Sequence, residues 1–110
     1  MAKTPEKKVK DQVTKLLDAK NAYWFYPVMG GYGSSGVPDI VACYRGVFIG
    51  IECKAGNNTP TALQIKNLNR ISQAGGYSAV INETNLDELQ VIFTRIDAER
   101  KAPSQDPTKV

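Results

Sequence analysis

Two apolar runs separated by a single dipeptide constrain this chain more than any other feature. Positions 39–44 (DIVACY) and 47–54 (VFIGIECK) are apolar and rich in β-branched residues, and only Arg45-Gly46 lies between them. A gap that short between two such runs predicts a β-hairpin, although Arg-Gly is a weaker turn pair than Asn-Gly. A two-residue turn sets Tyr44 opposite Val47, and counting outward pairs Cys43 with Phe48, Ala42 with Ile49, Val41 with Gly50, Ile40 with Ile51 and Asp39 with Glu52. A four-residue turn gives the same register, whereas a three-residue loop offsets it.

The flanking segments place this hairpin in an α/β fold. Thr4-Pro5-Glu6 carries the signals of a helix start, and Val9, Val13, Leu16 and Leu17 continue it as one apolar stripe to about Lys20. Positions 22–28 (AYWFYPV) are β-prone, and 29–36 (MGGYGSSG) reads as a mobile loop. Thr59-Pro60 opens a second helix that stops at Gly75-Gly76, positions 77–81 form a short strand, and Asn85 with Glu88 makes a cap pair for a third helix. The strand at 47–54, the helix after it and the strand at 77–81 form a right-handed crossover, so those two strands run parallel. The sheet is therefore mixed. Apolar residues on both of its faces require helices on both sides. One domain over 1–97 accounts for the pattern, and 98–110, with Pro103 and Pro107 and no periodicity, reads as a disordered tail.

In this register Asp39 and Glu52 share a face with their Cβ atoms about 5 Å apart. Like charges so placed repel, and a shared divalent cation offsets the repulsion. With no histidine in the chain, Cys43 and Cys53 cannot complete a zinc site, so a metal would be a hard cation held by oxygen, such as magnesium or manganese. The Cys53 backbone carbonyl is a further candidate ligand. Lys54 lies on the same face, about 6.6 Å beyond Glu52. Gly50, two residues before Glu52, is expected to leave that face open to a substrate or ion. Two carboxylates that hold a metal beside an ammonium suit phosphodiester hydrolysis. The ion polarises the phosphate and acidifies water, and Lys54 orients that water or neutralises the charge built up in the transition state. Glu-x-Lys alone is a common surface ion pair and Pro-Asp a common turn. Their combination in one register carries the argument.

Gly36-Val37-Pro38-Asp39, then Glu52-Cys53-Lys54, then Gln64 early in the following helix, resembles the PD-(D/E)XK nuclease superfamily. Within it the chain resembles the stand-alone VRR-NUC domains, small phage and bacterial enzymes similar to Holliday junction resolvases. The likeness spans about Glu6 to Ile81. It implies a restriction-endonuclease-like α-β-β-β-α-β core, dependence on Mg2+ or Mn2+, and a homodimer acting on branched DNA. Carried over by position, Asp39 and Glu52 are metal ligands, Lys54 the catalytic lysine and Gln64 a supporting glutamine. Gln64 also fits a capping box with Thr61. Glu6 matches an acidic residue on the first helix of related resolvases, which makes it a tentative metal ligand; it equally fits a helix-dipole acid in the first turn.

Composition sets the outer limits. The net charge of +3 and the pI near 8.9 are compatible with nucleic-acid binding without requiring it. Lys3, Lys7, Lys8, Lys10, Lys15 and Lys20 crowd the first segment, either as a solvated helix face or as a phosphate-contacting surface. The aromatic run Tyr23 to Tyr26 reads as a core strand in preference to a base-stacking or dimer surface. Cys43 and Cys53 read as reduced core residues on opposite sheet faces. The glycine-rich stretch is no P-loop, since no Gly-Lys-Ser/Thr follows, and it fits better as access to Asp39 for a bulky substrate. No apolar run approaches the roughly 18 residues of a membrane span, and the lysine-rich start does not read as a secretory signal, which points to the cytoplasm; the resemblance implies that of a bacterial or phage-infected cell. The expectation is a metal-dependent DNA endonuclease selective for four-way or branched DNA, acting as a two-fold dimer. A flap or linear-duplex nuclease of the same superfamily and a non-catalytic nucleic-acid-binding module are the alternatives.

Overall fold

Thr4 accepts a hydrogen bond from the Lys7 N–H at 3.1 Å and so starts helix α1 (Pro5–Ala19), which the positive φ of Asn21 ends. The computed structural model describes residues 2–28 and 36–100. Most of the stretch expected to loop between the first two strands, and the tail from 101, lie outside them. After α1 come β1 (Tyr23–Phe25), β2 (Ile40–Tyr44), β3 (Val47–Cys53), α2 (Ala62–Gln73), β4 (Tyr77–Ile81) and α3 (Asp87–Glu99). The third helix thus carries two residues past the expected start of the tail.

The sheet order is β1-β2-β3-β4, with antiparallel pairs on either side of β2 and a parallel pair between β3 and β4. The hairpin register is the one the two-residue turn requires, from Tyr44–Val47 to Ile40–Ile51. Arg45 and Gly46 both have positive φ, 51° and 83°, which matches the twist of the flanking strands. Arg45 is held in that less favoured conformation by an ion pair with Asp97 at 2.9 Å.

One face of the sheet carries the core. Val9, Val13 and Leu17 of α1 and Leu89, Ile92, Phe93 and Ile96 of α3 pack on Ile40, Ala42, Ile49, Ile51, Cys53 and Ile81. Each such side chain contributes about 1.5–3 kcal/mol by leaving water. Among the described residues the other face is covered over β3 and β4, by α2, which makes no comparable contact with β1 or β2.

This half-cover corrects three expectations. The aromatic run is an edge strand rather than a core strand: Tyr23 and Phe25 are 67% and 49% exposed, and only Trp24 turns inward. Cys43, in register with Tyr23, is exposed on the same uncovered face, and only Cys53 is a core residue. Gly50 is no opening, because a side chain there would collide with Ile71 of α2 and with Pro38. Its missing Cβ lets α2 lie close on β3. The expected Asn85–Glu88 pair is present, with Asn85 Nδ2 donating to Glu88 Oε2 at 3.0 Å, but the cap residue of the third helix is Leu86, and the Asn85 side chain also ties the preceding turn, accepting from Asn82 N–H at 2.7 Å and donating to Val80 O at 2.9 Å. Among the described residues no helix is long and apolar enough to cross a membrane.

Candidate active site

The C-terminal end of β3 and the residue leading into β2 meet at one end of the sheet. Gly36, at φ +84°, lies against the backbone of Leu63 and Gln64 at the start of α2. Pro38, buried, then restricts Val37 to extended backbone and delivers Asp39 to the first position outside β2. There Asp39 Oδ2 accepts the Cys53 N–H at 2.8 Å, so a carboxylate takes the place of a strand hydrogen bond. On the other side of β3, Lys54 N–H donates to Ile81 O at 3.0 Å and carries the parallel ladder one residue further.

Glu52 is the anomaly in this cluster. It is 1% exposed, and its Oε2 atom is buried without a hydrogen-bond partner. Its Oε1 accepts from Gln64 Nε2 at 3.1 Å and lies 3.8 Å from Lys54 Nζ. Burial, then the adjoining Asp39 carboxylate, push its pKa up to about 8; Lys54 opposes the rise and Glu6 adds to it. An unpartnered oxygen on a buried acid is costly. It is also the atom a cation would use. The oxygen donors of Asp39 and Glu52 therefore fit a hard divalent ion, with the pair's mutual repulsion offset when the ion is held.

The site unites Asp39, Glu52, Lys54 and Gln64. Gln64 makes contacts in two directions: Oε1 accepts Thr61 N–H at 2.8 Å and Thr61 Oγ1 accepts Gln64 N–H at 3.2 Å, completing the capping box, while Nε2 donates to Glu52 Oε1 at 3.1 Å. Glu6 is near enough to disfavour the Glu52 charge, but among the described residues no three His, Cys, Asp or Glu side chains converge as a metal cage. Cys53 itself is no nucleophile, since burial pushes its thiol up to about 12. One further group belongs here: Lys10 Nζ lies 3.9 Å from Asp39 Oδ1. Its signal in the sequence is its place one helical turn after Glu6, which is hidden when the lysines are taken together as one charged face.

No family model matches the sequence, and no curated protein matches it. Among solved structures the chain is similar to a VRR-NUC domain, with a TM-score of 0.68 over 81% of this chain and 97% of that one, at 22% identity. The chain has the VRR-NUC fold. Within that fold, the strand end and the crossover helix bring Asp39, Glu52, Lys54 and Gln64 to one point, so the arrangement rests on topology as well as on short contacts.

Proposed function

We propose that this chain is a divalent-metal-dependent DNA endonuclease, hydrolysing phosphodiester bonds at Asp39, Glu52 and Lys54. The observation that carries the proposal is the buried Glu52 carboxyl group beside Asp39 and Lys54, with its Oε2 left without a hydrogen-bond partner. Asp39, Glu52 and the backbone carbonyl of Cys53 would hold Mg2+ or Mn2+, with Glu6 behind them. When bound, the ion supplies Lewis-acid chemistry, drawing charge from a phosphate oxygen and acidifying water.

The remaining work falls to the chain. The Cys53 N–H fixes the Asp39 carboxylate through Oδ2, and Lys10 faces its Oδ1, so Asp39 is held in place where it would help to hold the ion. Gln64 Nε2 holds Glu52 Oε1, which orients the carboxylate toward the same point. With its pKa pushed up to about 8 by burial and by Asp39, Glu52 holds a proton more readily than an ordinary carboxyl group, and holding a divalent ion would require it to give that proton up. The Lys54 ammonium stands beside Glu52, where it neutralises charge gathering on the phosphate. Branched DNA, above all a four-way junction, is the substrate favoured by the likeness to the VRR-NUC fold, and a two-fold pair of cytoplasmic chains is the acting form.

The test is incubation of linear, flap and four-way DNA with magnesium, manganese or chelator, beside Asp39→Asn and Lys54→Ala. Metal-dependent cutting lost in both variants supports the enzyme, and preference for the junction supports the substrate. Cutting of flap or linear duplex alone gives the superfamily activity another substrate. DNA binding with no cutting under any ion would instead make the chain a non-catalytic nucleic-acid module.

A further inference from the structure

Beside Asp39, a cavity of about 270 Å³ opens between α1 and the residues that lead into β2. Two ammonium groups stand on its rim and apolar rings form its wall. Lys7 and Lys10, three residues apart on α1, project from the helix side, while Tyr26, Pro27 and Pro38 line the other. Lys10 looks both ways, lying 3.9 Å from Asp39 Oδ1 while lining the cavity. Lys7 lies 5.4 Å from the centre of the Tyr26 ring and pairs with Asp11, one helical turn on, at 3.1 Å; Asp11 itself does not line the cavity.

Paired cations over an apolar wall suit a ligand that is anionic at one end and apolar along its body. The cavity borders Asp39, so a DNA strand held at the Asp39–Glu52 carboxylate pair would enter it with the next residue. We infer that this cavity is a nucleotide subsite: it takes the residue adjoining the scissile phosphate, with that residue's own phosphate between Lys7 and Lys10 and its sugar against Tyr26 and Pro38. The inference rests on the nuclease reading above and extends it from the reacting phosphate to its neighbour. Lys7 is then a positioning residue, acting on a phosphate that does not react.

The test uses the full chain and a DNA strand that it cuts at a mapped bond, with each phosphate near that bond replaced in turn by a neutral methylphosphonate. In the wild type, one neutral position next to the cut should slow cleavage about tenfold, the scale of one charge-assisted contact. Lys7→Gln should cut ordinary DNA about tenfold more slowly and lose less than about twofold at that same position, and Lys7→Arg should restore both rate and sensitivity. A thermal melt matching that of the wild type guards against misfolding, since Lys7 is a surface residue. If Lys7→Gln keeps the wild-type sensitivity at every position, the subsite is wrong while the nuclease stands. If the wild type cuts nothing, the nuclease reading fails and the subsite is decided in chelator. There, amide shifts at Lys7, Lys10 and Val37 on titration with deoxythymidine 5′-monophosphate, lost in Lys7→Gln, support it, and unmoved amides overturn it.

Discussion

Gln64 does two jobs through opposite ends of one amide, and the two can be separated by substitution. Thr61→Ala removes the hydroxyl that accepts Gln64 N–H but leaves Nε2 on Glu52, so it should cost about 1 kcal/mol of stability and little activity. Gln64→Ala keeps its backbone N–H on Thr61 Oγ1 but removes both side-chain contacts, Oε1 with Thr61 N–H and Nε2 with Glu52, and should lower cleavage or metal affinity about 10–100-fold beyond a similar stability loss. Urea unfolding beside initial rates checks the pair, and equal effects on activity would reduce Gln64 to a helix cap. Glu52 allows a second prediction. Its pKa rises from 4.5 to about 8 on folding, so between those values the native state binds more protons than the unfolded chain. Stability in chelator should then fall as pH rises through that window, the reverse of an ordinary salt-bridged acid. Glu52→Gln should flatten the profile, and added manganese should stabilise the wild type increasingly toward the upper end. Melting temperatures across the window decide it. A flat wild-type profile would mean that Glu52 is not buried as a carboxylic acid.

At the scale of elements, the hairpin register was legible because apolar alternation and a two-residue turn admit one pairing, and Asp39 and Glu52 followed from it. The crossover helix was legible in outline, from Thr61 and Gln64 at its start to Gly75-Gly76 at its end. What the residues could not reveal is how much sheet α2 covers. Tyr23, Phe25 and Cys43 have the composition of a core, yet their side chains point to the half of the sheet that α2 does not reach. Gly50 shows the same limit in reverse, since a glycine beneath a close helix and a glycine beside an opening look alike in sequence. Lys7 and Lys10 became distinct from the other lysines only once Tyr26 and Pro38 were placed opposite them. Gly36 links the loop side of the site to α2: its φ of +84° and its approach to the Leu63 backbone both exclude a side chain. Gly36→Ala should therefore cost about 1–3 kcal/mol. Because the clash is with the turn that presents Gln64, it should also slow cleavage of every DNA alike, with no change in substrate preference. Denaturant midpoints and rates on linear and branched DNA would show this, and a stable, fully active variant would argue against the close approach.

At the scale of the whole molecule, the described residues of one chain offer one such carboxylate pair, flanked by Lys54 and Lys10, while resolving a four-way junction takes two cuts in strands related by two-fold symmetry. If junctions are the substrate, two chains must act together, and light scattering should give twice the 12.0 kDa of one chain. Mass alone does not prove that both sites are used, because a dimer can cut with one subunit at a time. Mixing wild type with Asp39→Asn separates the cases. In an equal mixture with random exchange, about half of the pairs carry one live site. If both subunits cut within one binding event, those mixed pairs should nick one strand and leave the junction unresolved, so the ratio of nicked to resolved product rises well above that of the wild type. If subunits act independently, the mixture should cut at about half the rate with the product ratio unchanged. A closed-circular plasmid bearing an extruded cruciform reads out both, since one cut relaxes it and two linearise it. Relaxed circles accumulating in the mixture would establish the paired mechanism; linear product in wild-type proportion would place the acting unit at the single chain.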